Sequence, residues 1–91
     1  MDGDCARLSM VLREPFGSTI GSLRVAAKLS QEKLAERSGL HATTISAVER
    51  GKMNVSFSTV EALARGLRID PGELLRMTAD ARARGRARRA P

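Results

Sequence analysis

Residues 31–50 read QEKLAERSGLHATTISAVER. The hydroxyl of Ser30, just before them, can accept a free backbone N–H, and Glu32 puts negative charge in a first turn where the helix dipole favours it. A first helix is therefore expected over Gln31–Ser38, with Leu34 and Ala35 facing inward. Gly39 can take a positive φ at little steric cost and so ends that helix. Leu40 turns back under the corner, and a second helix is expected from Ala42 to Arg50, with Ile45 and Val48 on one face. Ala35 lets two helices cross closely, where a bulkier residue would push them apart. Apolar residues at 34, 40, 45 and 48 around Gly39 describe two short helices at a steep angle, the helix-turn-helix arrangement. An ordinary helical hairpin is the competing reading. It does not require the alanine, the glycine and all four apolar positions to agree, as they do here.

On a helical wheel Thr43, Ala47 and Arg50 lie roughly opposite Ile45 and Val48, with Ser46 close by and Ala42 free to face outward. A face of small side chains can enter the major groove of DNA, where hydroxyls hydrogen-bond base edges and methyl groups touch thymine methyls. Ala42, Thr43, Thr44 and Ser46 are the candidate base-contacting residues. The plainer alternative is that the hydroxyls are solvated surface, but a solvated face more often mixes Lys and Glu along its length.

With 91 residues the chain is one domain, near the lower size that supports a core without staples. It has two Phe, no Tyr and no Trp, so its core must be built from Leu, Ile, Val, Ala and Met, which suits small, closely packed helices. The single cysteine, Cys5, excludes an intramolecular disulfide and a Cys-based metal site, and fits a reduced, cytoplasmic setting. No apolar run approaches the roughly 20 residues of a membrane span. Asp2 and Asp4 stand where a signal peptide would need positive charge. The net charge of +6 misleads, because the stretch Arg82–Pro91 holds five Arg and no acid, leaving 11 basic and 10 acidic groups in the first 81 residues. The body is nearly neutral, and the case for DNA rests on the motif, with the tail as a secondary electrostatic contribution.

Along the chain, residues 1–5 are expected to be disordered. Residues 6–13, ARLSMVLR, alternate as a strand at Leu8, Met10 and Leu12 but also present Leu8, Val11 and Leu12 on a helical face; a short helix is favoured. Glu14-Pro15 should end it, because a residue before proline avoids the α region. A further helix is expected from Ser18 or Thr19 to Lys28, with Ile20, Leu23 and Ala27 inward and Leu29 closing the corner. After the central motif, Gly51–Val55 forms a connector. Ser56 or Ser58 caps the next helix, Ser58 with Glu61 as a capping box, and its stripe is Val60, Leu63, Ala64 and Leu67. Asp70-Pro71-Gly72-Glu73 is a strong helix start. The last helix carries Leu74, Leu75 and Met77 and is expected to fray between Ala79 and Arg84. The expected fold is all-α: a compact five-helix domain over residues 16–80, preceded by an extension (1–15) with a short extra helix. A disordered, basic, low-complexity tail (81–91) follows, either a solubility tail or a phosphate-binding arm.

With these residues laid out, the chain resembles the phage-repressor and Cro-like, or XRE-type, helix-turn-helix family over about Phe16–Met77. The segments SQEKLAERSGL, TISAVERGK and GLRIDPGELL carry the likeness. The Asn54-Val55-Ser56 connector also looks like that of the controller proteins of restriction–modification systems. The resemblance implies a lambda-repressor-like fold with roles by position. Gln31 would contact a phosphate and brace the recognition helix, and Ala42, Thr43, Thr44 and Ser46 would read bases. Arg50, Lys52 and the backbone around Asn54 would grip phosphates, and Arg24 and Glu49 would form a buried salt bridge. The wheel also puts Glu49 nearer the inner face than a solvated residue should be, so it needs a partner. Two departures stand out. Ala42 cannot make a bidentate adenine contact, so specificity would lean on Thr43, Ser46 and Arg50. His41 replaces the usual Ser, Asp or Thr cap, and is either a plain surface cap or a phosphate ligand.

The leading function is a sequence-specific DNA-binding regulator of transcription. It would bind an inverted-repeat operator as a homodimer, with the helix at about 42–50 in the major groove of each half-site. One protomer offers few contacts, each good base reading contributing about 1–3 kcal/mol. Leu74, Leu75 and Met77 are the expected dimer surface, joined by the Leu8–Leu12 segment. The alternative is an antitoxin or adaptor of the same fold that mainly binds a protein partner. An enzyme is a poor reading: one His and one Cys stand far apart, without a phosphate loop, metal ligands or a cofactor motif.

Overall fold

The computed structural model describes residues 2–89, with side chains described for residues 11–85. Five helices follow one another: α1 (Asp2–Ala26), α2 (Gln31–Ser38), α3 (Ala42–Glu49), α4 (Phe57–Leu67) and α5 (Pro71–Arg89). No strand occurs among the described residues.

Each helix delivers at least one fully buried aliphatic residue to a common core: Ile20 from α1, Leu34 from α2, Ile45 and Val48 from α3, Leu63 from α4 and Leu74 from α5. Phe16 is the one aromatic among them. Small residues let the helices approach. A Cβ on Gly66 of α4 would lie 3.0 Å from Leu34 Cδ1 and 3.1 Å from Ser38 Cβ, so this glycine sets how near α4 comes to α2. A Cβ on Gly17 of α1 would run into the carbonyl oxygen of Val48, which seats α1 on the end of α3. The buried Ser38 hydroxyl is satisfied by donating to the Leu34 carbonyl at 2.7 Å.

The local signals in the motif are used as expected. Ser30 caps α2 by accepting from Lys33 N–H, and Gly39 ends it at φ 74°. Asp70 caps α5 through Glu73 N–H at 3.2 Å. At α4 the cap is Ser56, which accepts from Thr59 N–H, so a Ser58–Glu61 capping box is not formed.

The N-terminal expectation needs correcting. There is no break at Glu14-Pro15 and no separate short helix: α1 is continuous from Asp2 to Ala26 with Pro15 inside it. A proline in a helix loses one hydrogen bond and crowds the preceding turn, at a cost of about 3 kcal/mol. Continuing the helix keeps Phe16 buried, on one groove with Leu75 and Thr78 of α5, and that burial opposes the loss. Thr19 helps by donating its hydroxyl to the Pro15 carbonyl at 2.8 Å. Twenty-five residues at about 1.5 Å each make α1 about 37 Å long. At the other end α1 stops at Ala26, and Ala27 is exposed rather than inward. Lys28, at φ 60°, makes the left-handed corner usually given to glycine. The C-terminus differs as well. Instead of fraying between Ala79 and Arg84, α5 runs on to Arg89. Arg and Ala are both strong helix formers, and position 85 alone interrupts them with glycine.

Candidate nucleic-acid interface

Ile45 and Val48 anchor α3 in the core at 0% and 1% exposure, and this decides which of its residues remain outside. Thr43 and Arg50 are exposed, and Thr44, Ser46 and Ala47 are half-exposed. Ala42 is less free than the wheel suggests: it packs partly against the core. His41 occupies the N-cap in extended geometry with no side-chain cap hydrogen bond, and it is exposed. Arg50 folds back over the helix end, its Nε donating to the Ser46 carbonyl at 3.3 Å.

The pitch of α3 is held by one carboxylate. Glu49 Oε2 accepts from Arg24 Nε at 2.6 Å, and Oε1 accepts from Arg24 Nη2 at 3.1 Å. The same Oε1 accepts from Gln31 Nε2 at 3.1 Å. Arg24 also donates Nη1 to the Leu29 carbonyl at 2.8 Å, so one guanidinium ties α1, the corner before α2 and the end of α3 together. The Arg24 and Glu49 side chains are 17% and 12% exposed, which makes this a partly buried, multiply hydrogen-bonded pair. Hydrogen bonding to Glu49 raises the Arg24 guanidinium above its ordinary value, against a smaller opposing effect of burial. A Cβ on Gly21 would meet the Glu49 side chain at 3.6–3.9 Å, an ordinary van der Waals contact, so the pair does not depend on glycine there. One of the two amide protons of Gln31 is committed to Glu49, and the other is available to a phosphate.

The connector after α3 is held by α1. Gly51 turns at φ 67°, and a Cβ on it would meet Glu14 at 3.2–3.5 Å. Met53 and Val55 pack on the core, while Lys52 and Asn54 are exposed. Arg13 Nε donates to Asn54 Oδ1 at 2.7 Å, across 41 residues of sequence. No local pattern marks Arg13 in the sequence, because none can reveal a partner so distant. Gln31, Thr43, Ser46, Arg50, Lys52 and Asn54 thus belong to α2, α3 and the connector that follows, all referred to α1 through Arg24 and Arg13.

The three residues expected at the dimer surface sit in three different environments. Leu74 is 0% exposed and fills the protomer's own core, so it has nothing to offer a partner. Met77 is half-buried in a groove against α1. Leu75 is 42% exposed and lies elsewhere, in a mainly apolar groove of about 160 Å³ with Leu12, Met53, Val55 and Phe57. Phe57 is 86% exposed. The sequence does carry a signal for it: it is one of only two Phe and falls outside the Val60–Leu67 stripe. Leu8 lies outside the residues whose side chains are described. Among the described residues no group of three His, Cys, Asp or Glu could hold a metal, and no helix is long and apolar enough to cross a membrane.

Two short helices joined by a tight turn at Gly39, with the second braced at its end and its hydroxyl face left open, make a helix-turn-helix. The helix-turn-helix family matches residues 20–74, more than half of the chain, and the chain belongs to that family. The chain is 40% identical over 68 residues to the control protein C.BamHI of Bacillus amyloliquefaciens, covering 74% of this chain and 84% of that protein. It is 44% identical over 66 residues to the control protein C.SmaI of Serratia marcescens, covering 72% and 79%. The crystal structure of the restriction-modification controller protein C.AhdI from Aeromonas hydrophila superposes with a TM-score of 0.63 at 47% identity, covering 65% of this chain and 86% of that one. The class is therefore that of XRE-type DNA-binding regulators of transcription, and within it the chain is similar to restriction–modification control proteins.

Proposed function

We propose that this regulator binds an inverted-repeat operator as a symmetric homodimer, one α3 entering the major groove of each half-site. The observation that carries the reading is the hydroxyl face of α3, left open while Glu49 locks the helix to α1 and α2. In this reading Thr43 and Ser46 read base edges, Thr44 and Ala42 add van der Waals contact, and Arg50, Lys52, Gln31 and the backbone at Asn54 hold phosphates. The likeness to control proteins supports a gene-regulatory role over catalysis.

The dimer surface in this proposal is the groove beside α5, not the buried Leu74. Phe57 projects next to a groove lined by Leu12, Val55 and Leu75, so one patch carries both a knob and a hole. A two-fold axis pairs a patch with itself, and a knob beside a hole satisfies that requirement. Two copies are also what a short recognition helix needs to reach useful specificity.

The test is selection of binding sites from a random duplex library with the purified full chain. Enrichment of an inverted repeat with half-site centres about one helical turn, ~34 Å, apart supports the proposal. Recovery of no preferred site overturns it, and favours an adaptor or antitoxin that uses the same fold to hold a protein.

A further inference from the structure

We propose that the end of α5, Arg82–Arg89, is a second polyanion-binding element, placing arginines on duplex phosphates outside the reach of the helix-turn-helix. The inference rests on the DNA-binding reading above and extends its contact surface.

The charge is concentrated. Five Arg and no acid lie in the last ten residues, while the rest of the chain, with 11 basic and 10 acidic groups, is net +1. Because α5 stays helical to Arg89, these arginines stand on a continuous helix rather than a coil. Upstream, Arg76 is paired with Glu73 and Asp80. Past Asp80 there is no acid on the helix, and Arg82 and Arg84 make no hydrogen bond or ion pair among the described residues.

Packing sets where the arm leaves the molecule. Leu12 and Phe16 of α1 share one groove with Leu75 and Thr78 of α5. Ser22 and Ala26 share another with Ala81 and Arg84. The two helices therefore run side by side in the same direction, and Arg84 arrives beside the last residue of α1. Five helical residues follow, about 7.5 Å at 1.5 Å each. From Ala26 the chain passes through only four residues, 27–30, to Gln31 at the start of α2. The arm thus emerges at the end of the molecule from which the helix-turn-helix begins.

A bland reading exists: arginines near a helix C-terminus complement its dipole. That effect is confined to the last turn and needs one or two charges, not five. Five like charges within the eight residues 82–89 repel one another. Such an arrangement weakens the free helix and is relieved when a polyanion lies along it. Duplex DNA is the polyanion the neighbouring motif already engages, and its phosphates accept arginine without regard to sequence.

The test uses the full-length chain with all five arginines replaced: Arg82→Gln, Arg84→Gln, Arg86→Gln, Arg88→Gln and Arg89→Gln. Gln preserves helix propensity, and a melting curve checks the fold. Affinity is measured against salt for a selected operator and for an unrelated duplex of equal length. The slope of log affinity on log salt should fall by about 2–4, at ~0.9 for each phosphate no longer neutralised. Both duplexes should weaken by the same factor, with the preferred site unchanged. An unchanged slope overturns the proposal, and so does a weakening confined to the operator, which would mean base reading. If the wild-type chain selects no site, the regulator reading fails, but the slope on the unrelated duplex still decides this one.

Discussion

Around Glu49 the polar groups are committed. Two donors of Arg24 and one of Gln31 converge on a single carboxylate, and Arg24 gives a third to the Leu29 carbonyl. In the groove beside α5 the situation is the reverse: Phe57 is 86% exposed, Leu75 42% and Leu12 38%, and nothing among the described residues covers them. The first region is held by contacts inside one chain, so it presents α3 in one orientation before any ligand arrives. The second is left open and suits contact with another surface. The comparison predicts that changes near Glu49 appear first in stability, and changes in the groove first in association.

The largest effect should come from beneath the recognition helix. Gly17→Ala drives a Cβ into the Val48 carbonyl, and backbone cannot step aside as a flexible side chain could. We expect a destabilisation of about 3 kcal/mol, read as a fall in melting temperature of more than ~10 °C. A normal melting curve would mean that α1 can shift away from α3, and the rigid half of the comparison would fall.

Next is Arg24→Ala, which removes three donated hydrogen bonds and leaves a half-buried carboxylate with Gln31 alone. A destabilisation of about 2 kcal/mol is expected from charged hydrogen bonds of this kind. Affinity for DNA should change less than stability, because Arg24 acts through Glu49. A melting temperature equal to that of the wild type would refute the bracing role.

Phe57→Ser tests the other half. Stability of the protomer should change little, since the ring is already in water. If Phe57 is a central dimer contact, the dimer should weaken by about 2 kcal/mol, or roughly 30-fold in dissociation constant, measured by sedimentation. A dimer as strong as the wild type would move the interface elsewhere.

The smallest effects are on the recognition face. Ser46→Ala should cost about 1 kcal/mol at one base position and relax preference there. Lys52→Ala should weaken all sequences alike and reduce the salt slope by about one. If Ser46→Ala leaves the preferred site intact, the assignment of that residue to base reading is wrong.

Legibility from sequence divides along the same line as the comparison. Residues 30–50 can be read almost completely, because caps, a positive-φ glycine and an i, i+3 apolar pair act within a few residues of one another. Pro15 misleads, because its local preference to end a helix is opposed by burial of Phe16, which lines one groove with Leu75 and Thr78 of α5, about 60 residues away in sequence. Lys28 and Arg68 both hold left-handed corners without being glycine, which composition cannot signal. Leu74 and Leu75 look alike in sequence, yet one is 0% and the other 42% exposed, and only the direction in which α5 lies on α1 separates them.

The chain alone settled the class of fold and the motif, since helix starts, stops and faces follow from local hydrogen bonding and short apolar spacings. It also located nearly all the excess charge. The tertiary structure decided the continuity of α1, the convergence of Arg24 and Gln31 on Glu49, the Arg13–Asn54 contact and the identity of the open groove. These depend on pairs of residues far apart in sequence, and a long-range contact exists only once the intervening helices have packed.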